Sequence, residues 1–379
     1  MNTGRGIGQD SLSIPEKLRL ISWPLLLLVT LTACVGFASL YSAAGGHMAP
    51  WASKQAVRFI FGLCGLVAVA LIDIRFWMKM SYPLYALGIL LLVYVDIRGH
   101  IGMGAQRWIS LGFLELQPSE VVKITTVMAL ARCFHAATPE DVKNPVFLLW
   151  PLFLVALPAG LVAIQPDLGT ALTIAIVAGG IFFLAGVPYW MFGTVIALGL
   201  AALPVLWHFM HGYQKKRILV FMHPELDPLG AGYHIMQSKI ALGSGGFSGQ
   251  GFLRGTQNQL NFLPEKQTDF VFTILAEEFG FVGSVGVLGL LFGVVAIALY
   301  TALRCNHAYG RLVALGIGTN FFLYCAVNLS MVMGLIPVGG VPLPLISYGG
   351  SALTAVMLGF GVLMSVQVHR DVEFAVDEA

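Results

Sequence analysis

Charge is what this chain has least of. Only 11% of its residues are Asp, Glu, Lys or Arg, against roughly 25% in a soluble domain. With 57% hydrophobic residues and a mean hydropathy of +0.82, too little polar surface exists to coat a folded body in water, which excludes a soluble globular protein. No sign of charge dominates either. A net charge of +2, from 21 basic and 19 acidic residues, removes nucleic acid from the expected partners. Cysteine is sparse. Cys34, Cys64, Cys133, Cys305 and Cys325 form no CxxC pair and no metal-ligand spacing, and all lie in or beside apolar segments; they read as small buried hydrophobes. A nucleotide fingerprint is also missing. The glycine-rich stretch GSGGFSGQGFLRG at 243–255 does not spell GxGxxG, and its glycines suit tight turning against another surface.

What the chain does have is long apolar runs. A membrane-crossing helix needs about 20 mostly apolar residues. Ten segments qualify: 20–42, 55–73, 78–96, 118–136, 146–164, 168–186, 189–210, 269–301, 310–336 and 343–367. The fold class is therefore an all-α polytopic membrane protein of about ten transmembrane helices. Its segments are an N-terminal stretch 1–19, spans one to seven over 20–210, one long loop 211–268, spans eight to ten over 269–367, and a C-terminal tail 368–379. The first run is long enough to span and follows a polar stretch, so it is expected to serve as an uncleaved anchor.

Lysine and arginine set the orientation. With both termini cytoplasmic, the inner segments hold Arg5, Lys17, Arg19, Arg75, Lys79, Arg132, Lys143, Arg304, Arg311 and Arg370, whereas the short outer loops hold only Lys54, Arg58, Arg98 and Arg107. Loop 211–268 is then extracytoplasmic. Every tryptophan (Trp23, Trp51, Trp77, Trp108, Trp150, Trp190, Trp207) falls near a predicted helix end, as an amphipathic ring at the headgroup level should. Gly280, Gly283, Gly286 and Gly289 recur every three residues in the eighth span and predict close helix packing.

Ionisable groups at membrane depth are expensive and carry the functional signal. Arg107, Glu120 and Lys123 lie within GAQRWISLGFLELQPSEVVK, with Glu120 and Lys123 on one face of the fourth span; they form either a local ion pair or a charged cavity wall. Gln165 and Asp167 belong to QPDLGT between spans five and six, where Asp167 is equally a helix cap or a cavity residue. Asp269, in PEKQTDF, enters the eighth span as an N-cap or as a carboxylate whose partial desolvation makes it a better base. Glu277 and Glu278 follow, placed to pair within the bundle. Ser347 and Ser351, in SYGGS, follow the proline-broken segment IPVGGVPLPLI; irregular backbone at this depth must line protein or water. These motifs define a polar cavity on the outer side. They do not by themselves separate a transporter from an enzyme acting on a lipid.

Taken together, GAQRWISLGFLELQPSEVVK, QPDLGT, DPLGAGYHIMQSKIALGSGG, GTQNQLNFLPEKQTDFVFTILAEEFG and VPLPLISYGGSA closely resemble the SEDS family (shape, elongation, division and sporulation), nearer its elongation branch than its division branch. The resemblance covers nearly all of the membrane region. It implies ten transmembrane helices in the bacterial cytoplasmic (inner) membrane and a peptidoglycan glycosyltransferase that polymerises lipid II into β-1,4 glycan at the outer face during elongation. It also implies a class B penicillin-binding protein as transpeptidase partner within an elongation machinery. The family's essential loop aspartate falls on Asp269, and its polar cavity residues on Arg107, Glu120, Lys123, Gln165 and Asp167. Lys266, Thr268, Ser347 and Ser351 join them as expected substrate contacts. Gln267 stands where many members carry histidine, which removes a proton-relay role for that neighbour. Asp269 is the expected general base. Arg107 and Lys123 are expected to stabilise the leaving diphosphate, with or without a divalent cation such as Mg²⁺ or Mn²⁺ held by acidic neighbours. The competing functions are a lipid II flippase, disfavoured because polar motifs collect on one side only, and a non-catalytic scaffold for the penicillin-binding protein.

Overall fold

The computed structural model describes residues 13–102, 105–110, 115–210, 212–223, 225, 227, 230–260 and 265–372. Residues 1–12 of the N-terminal stretch, 111–114 of the first motif, 261–264 before Asp269 and 373–379 of the tail lie outside the described residues. Helices run in chain order as α1 (Ile14–Leu20), α2 (Trp23–Ala43), α3 (Ala52–Leu71), α4 (Ile74–Arg98), α5 (Pro118–His135), α6 (Pro145–Ile164), α7 (Leu168–Ala185) and α8 (Tyr189–Phe209). They continue as α9 (Gly212–Met222), α10 (Ala231–Ser244), α11 (Thr256–Gln259), α12 (Val271–Arg304), α13 (Ala308–Val332) and α14 (Gly350–Val368). Eight of them, α2, α3, α4, α6, α7, α12, α13 and α14, are long and apolar enough to cross a membrane. The chain is an all-α polytopic membrane protein.

The other two predicted spans are the helices α5 and α8. α5 fails as an apolar span because it carries Glu120, Lys123 and Arg132, and nearly all of its residues are buried. Neighbouring helices α4, α7 and α13 pack around it, so protein rather than lipid is its solvent. α13 and α14 complete this interior, with α3 laid along α14 and α12 along α13. Apolar side chains such as Leu149, Phe183, Val195 and Phe292 stand exposed on the outer helices, as a lipid-facing surface requires. Cys34 and Cys64 are exposed on that surface, and Cys133, Cys305 and Cys325 are buried. The expectation of five buried cysteines fails for the first two because lipid is as apolar as a core.

Three features depart from expectation. A short helix, α1, precedes the first span, started by the Glu16 carboxylate accepting from the Ser13 N–H at 2.9 Å. The 100–116 connection is a small antiparallel sheet of β1 (His100–Gly102), β2 (Ala105–Ser110) and β3 (Glu115–Leu116), with Ile109 paired to Leu116. Helix α14 begins at Gly350 rather than at 343, because Pro342 and Pro344 keep the preceding chain out of the helical register.

The glycine repeat of α12 does not act as predicted. A Cβ at Gly286 or Gly289 would meet nothing within 4 Å, so these glycines do not bring helices together. Gly280 instead breaks the helix, with φ 63° and ψ −156°. A break in hydrocarbon leaves backbone groups without partners unless other chain supplies them. The glycine-rich loop does so. Gln250 N–H and Gly251 N–H donate to the Glu277 and Glu278 carbonyls at 3.0 Å, while Phe281 N–H and Val282 N–H donate to Gly246 O and Phe247 O at 2.9 and 3.2 Å. Gly249, at φ 79°, touches the Glu278 carbonyl so closely that a Cβ would overlap it. Gly249→Ala is expected to destabilise the protein by about 2–5 kcal/mol, from left-handed strain plus overpacking. Thermal unfolding of the detergent-solubilised protein measures this, and an unchanged midpoint would remove the loop's role as a plug.

Candidate active site

At one end of the bundle, segments that are far apart in sequence close around a cavity of about 630 Å³. Sheet residues Arg107, Trp108 and Glu115 form one wall, Glu120 and Lys123 of α5 and Tyr324 of α13 another. Asp167, Thr170 and Thr173 come from the start of α7, Thr268 and Asp269 precede α12, and Gly339–Pro342 with Tyr348–Ala352 close the remaining side. Arg58 of α3 and Arg217 of α9 reach the same space.

Arg107 is held by the turn before α7. Its Nε donates to Gln165 O at 3.0 Å, one terminal nitrogen donates to Pro166 O at 2.7 Å, and the other faces Asp167 Oδ2 at 3.4 Å. Asp167 also caps α7, accepting from Thr170 N–H at 3.2 Å, so its cap and cavity roles coexist. Lys123 and Glu120 form a buried ion pair at 2.8 Å. The Tyr324 hydroxyl donates to the second Glu120 oxygen, and the Lys123 ammonium lies 4.1 Å from the Tyr324 ring centroid. A buried pair of this kind keeps its charges only because each is answered.

Asp269 is not the cap of α12; that position belongs to Phe270. Its carboxyl is half-buried in the cavity wall, and its main chain is fixed instead. Asn328 Nδ2 donates to Asp269 O at 2.9 Å and to Val341 O at 2.7 Å. Ser347 Oγ donates to Thr268 O at 2.5 Å and accepts from Leu343 N–H at 2.8 Å, while Tyr348 N–H donates to Gln267 O at 2.8 Å. Burial first, then the neighbouring Glu265 charge, push the Asp269 pKa up to about 6, against the opposing pull of Arg217. A carboxylate poised there is a competent proton acceptor near neutral pH.

Of the residues singled out in the sequence, Asp269, Arg107, Glu120, Lys123, Asp167, Thr268 and Ser351 line one cavity. Three do not. Gln165 turns away and donates to Leu92 O at 3.2 Å, holding the turn that holds Arg107. Ser347 is occupied by backbone. Lys266 lines a separate cavity of about 560 Å³ with Ser42, Trp51 and Gln259. Glu277 and Glu278 stand apart from Asp269: Glu277 accepts from Thr256 Oγ1 and Gln257 N–H at 3.1 and 2.9 Å, and Glu278 from the Ser42 hydroxyl. Both serve the loop plug. Sequence reasoning missed Arg58, Arg217 and Tyr324 as cavity residues, and Asn328 as the tether of the Asp269 main chain.

Among the described residues, no three His, Cys, Asp or Glu side chains converge as a metal site. Two cavity carboxylates, Glu120 and Asp167, are already paired with Lys123 and Arg107. Glu115 and Asp269 are the other carboxylates of the cavity lining.

Comparison with known proteins bears on the chain as a whole. A family model for cell cycle proteins of the FtsW, RodA and SpoVE type matches residues 18–372. The chain belongs to this family. The peptidoglycan glycosyltransferase MrdB of Escherichia coli K12 is 44% identical to it over 349 residues, 92% of this chain and 94% of that protein. A solved chain from a peptidoglycan synthase complex that coordinates polymerization and crosslinking superposes with a TM-score of 0.81 at 32% identity, covering 92% of this chain and 98% of that one. The rod shape determining protein RodA of Thermus thermophilus superposes at 0.70 with 29% identity, covering 93% and 98%. The overall frame of this chain is thus shared, over nearly its full length, with these solved structures.

Proposed function

We propose that this chain is a peptidoglycan glycosyltransferase that polymerises lipid II into β-1,4 glycan strands during cell elongation, with Asp269 as general base. Glycosyltransferase activity in cell wall synthesis follows from the family and its named relatives. The single observation behind the assignment of the base is a half-buried carboxylate, held on a stapled backbone with its pKa raised to about 6, in a cavity rimmed by arginine. In the proposed step the acceptor 4-hydroxyl attacks the anomeric carbon of the donor. The bond from that carbon to the diphosphate oxygen breaks, the hydroxyl proton passes to Asp269, and undecaprenyl diphosphate leaves. One displacement inverts an α-linked donor to a β-linkage.

The cavity opens where spans meet polar loops, so the lipid tails of both substrates remain in the bilayer while their headgroups meet. We place that end outside the bacterial inner membrane with both termini cytoplasmic, on the lysine and arginine bias of the loops. A class B penicillin-binding protein is the proposed transpeptidase partner, supported by the likeness to the synthase-complex chain. We propose that any divalent cation arrives on the substrate diphosphate rather than on protein ligands.

Polymerisation of purified lipid II by the purified protein with its partner tests the function. A flippase would move headgroups across vesicles without making glycan, and a scaffold would tolerate loss of Asp269. Asn328→Ala gives a finer test. Losing both tethers from Asn328 to Asp269 O and Val341 O is expected to lower turnover roughly tenfold to a hundredfold, since small misplacements of a reacting group cost that much. Unchanged turnover would show that this tether does not position the base.

A further inference from the structure

The sequence assigns the diphosphate to Arg107 and Lys123, yet both cations are already answered by carboxylates, at 3.4 and 2.8 Å. A different corner of the cavity is unanswered. Helix α14 begins with Gly349 as its cap, which has no side chain to satisfy the first-turn amides, and no acidic residue lies in that turn. Gly349, Gly350, Ser351 and Ala352 all line the cavity, so the amide donors of a 19-residue helix open into it.

Two side chains reinforce the amides. Ser351 is only 2% exposed and lines the cavity, and among the described residues its hydroxyl has no hydrogen-bond partner. Arg58 stands on the facing helix α3. Its guanidinium carbon lies 5.0 Å from the centroid of the Tyr348 ring, and a Cβ on Gly350 would come within 3.1 Å of that carbon. The guanidinium is therefore flush against the first turn of α14, and stacking leaves its N–H edge available. Glycine at 350 is what allows this approach. A helix N-terminus, a buried hydroxyl without a partner and a planar cation meeting at one point make a seat for a tetrahedral dianion.

We propose that the first turn of α14 and Arg58, with Ser351, form the subsite for the diphosphate of the lipid-linked donor, and that Arg107 and Lys123 shape the cavity rather than hold the leaving group. The assignment rests on the glycosyltransferase function above. It gives the developing charge on the leaving diphosphate fixed donors that need no reorganisation, while Arg107 keeps the Gln165–Asp167 turn in place.

The test is binding of undecaprenyl diphosphate to the full-length protein in lipid nanodiscs, with undecaprenol and inorganic pyrophosphate as separate probes. Arg58→Gln is expected to weaken undecaprenyl diphosphate roughly tenfold to a hundredfold, and Ser351→Ala a few-fold. Undecaprenol binding should stay unchanged in both variants, which also reports that they fold. Inorganic pyrophosphate should compete with the lipid in wild type and lose that ability in Arg58→Gln. Arg58→Lys should restore only part of the affinity, because lysine lacks the fork. If Arg58→Gln leaves undecaprenyl diphosphate affinity intact while Arg107→Gln lowers it, the subsite assignment is overturned. Asp269→Asn separates the two questions: it should bind undecaprenyl diphosphate like wild type, so polymerisation by that variant would refute the base and not the subsite.

Discussion

Exchanging Asp269 for asparagine is expected to lower glycan polymerisation from lipid II by roughly 10²–10⁴-fold, the usual contribution of a positioned general base. Asparagine has the same shape but cannot take a proton. The contacts that fix this segment run through main-chain oxygens of Thr268 and Asp269, so the exchange leaves them in place and the fold with them. Loss of activity then reports on chemistry. Chain length and yield on product gels measure it, with the transpeptidase partner at constant concentration, and a wild-type rate would remove Asp269 from the reaction.

The second large effect is on stability. Lys123→Met is expected to destabilise the protein by about 3–5 kcal/mol, because it leaves the Glu120 carboxylate buried without its cation. Among the described residues, only the Tyr324 hydroxyl then answers that charge. The double variant Glu120→Gln with Lys123→Met should recover much of the loss, since two neutral groups have far less to desolvate. Thermal unfolding in one detergent measures all three proteins. A single variant as stable as wild type would mean that the pair is not buried as described. Arg107 and Asp167 are more exposed, and breaking their pair is expected to change stability by only about 1 kcal/mol.

Much of this architecture was legible in the sequence for a plain reason: lipid leaves the chain few options, and a run of about 20 apolar residues has one stable conformation there. The polar helix α5 was legible as well, since Glu120 and Lys123 three residues apart on an otherwise spanning segment need each other. Convergence was harder to read. Asp167, Asp269 and Ser351 come from separate helix starts, and their meeting in one cavity depends on α5, α7, α13 and α14 packing together. Ser347 and Gln165 have the chemistry of substrate contacts, yet they serve neighbouring backbone, a distinction set by side-chain direction that composition does not carry. Arg58 had a signal that went unused. An arginine inside the predicted span 55–73 is costly enough in lipid to mark a functional position. Tyr324 and Asn328 had none, because Tyr324 acts on Glu120, 204 residues away, and Asn328 holds Asp269, 59 residues away. The break at Gly280 looked like a packing stripe because spacing alone does not reveal that its φ is 63°.

The dependence of polymerisation rate on pH tests the central claim most directly. With lipid II well below saturation and the partner held constant, the wild-type kcat/KM measured from about pH 4.5 to about 8 should rise with pH and level off above an inflection near 6, where burial and Glu265 hold the Asp269 carboxyl of the free protein. The sign follows from the role: a base works only when deprotonated, so activity is lost as pH falls through its pKa. The residual activity of Asp269→Asn should lack that inflection. A flat wild-type profile, or the same inflection surviving in Asp269→Asn, would contradict the assignment.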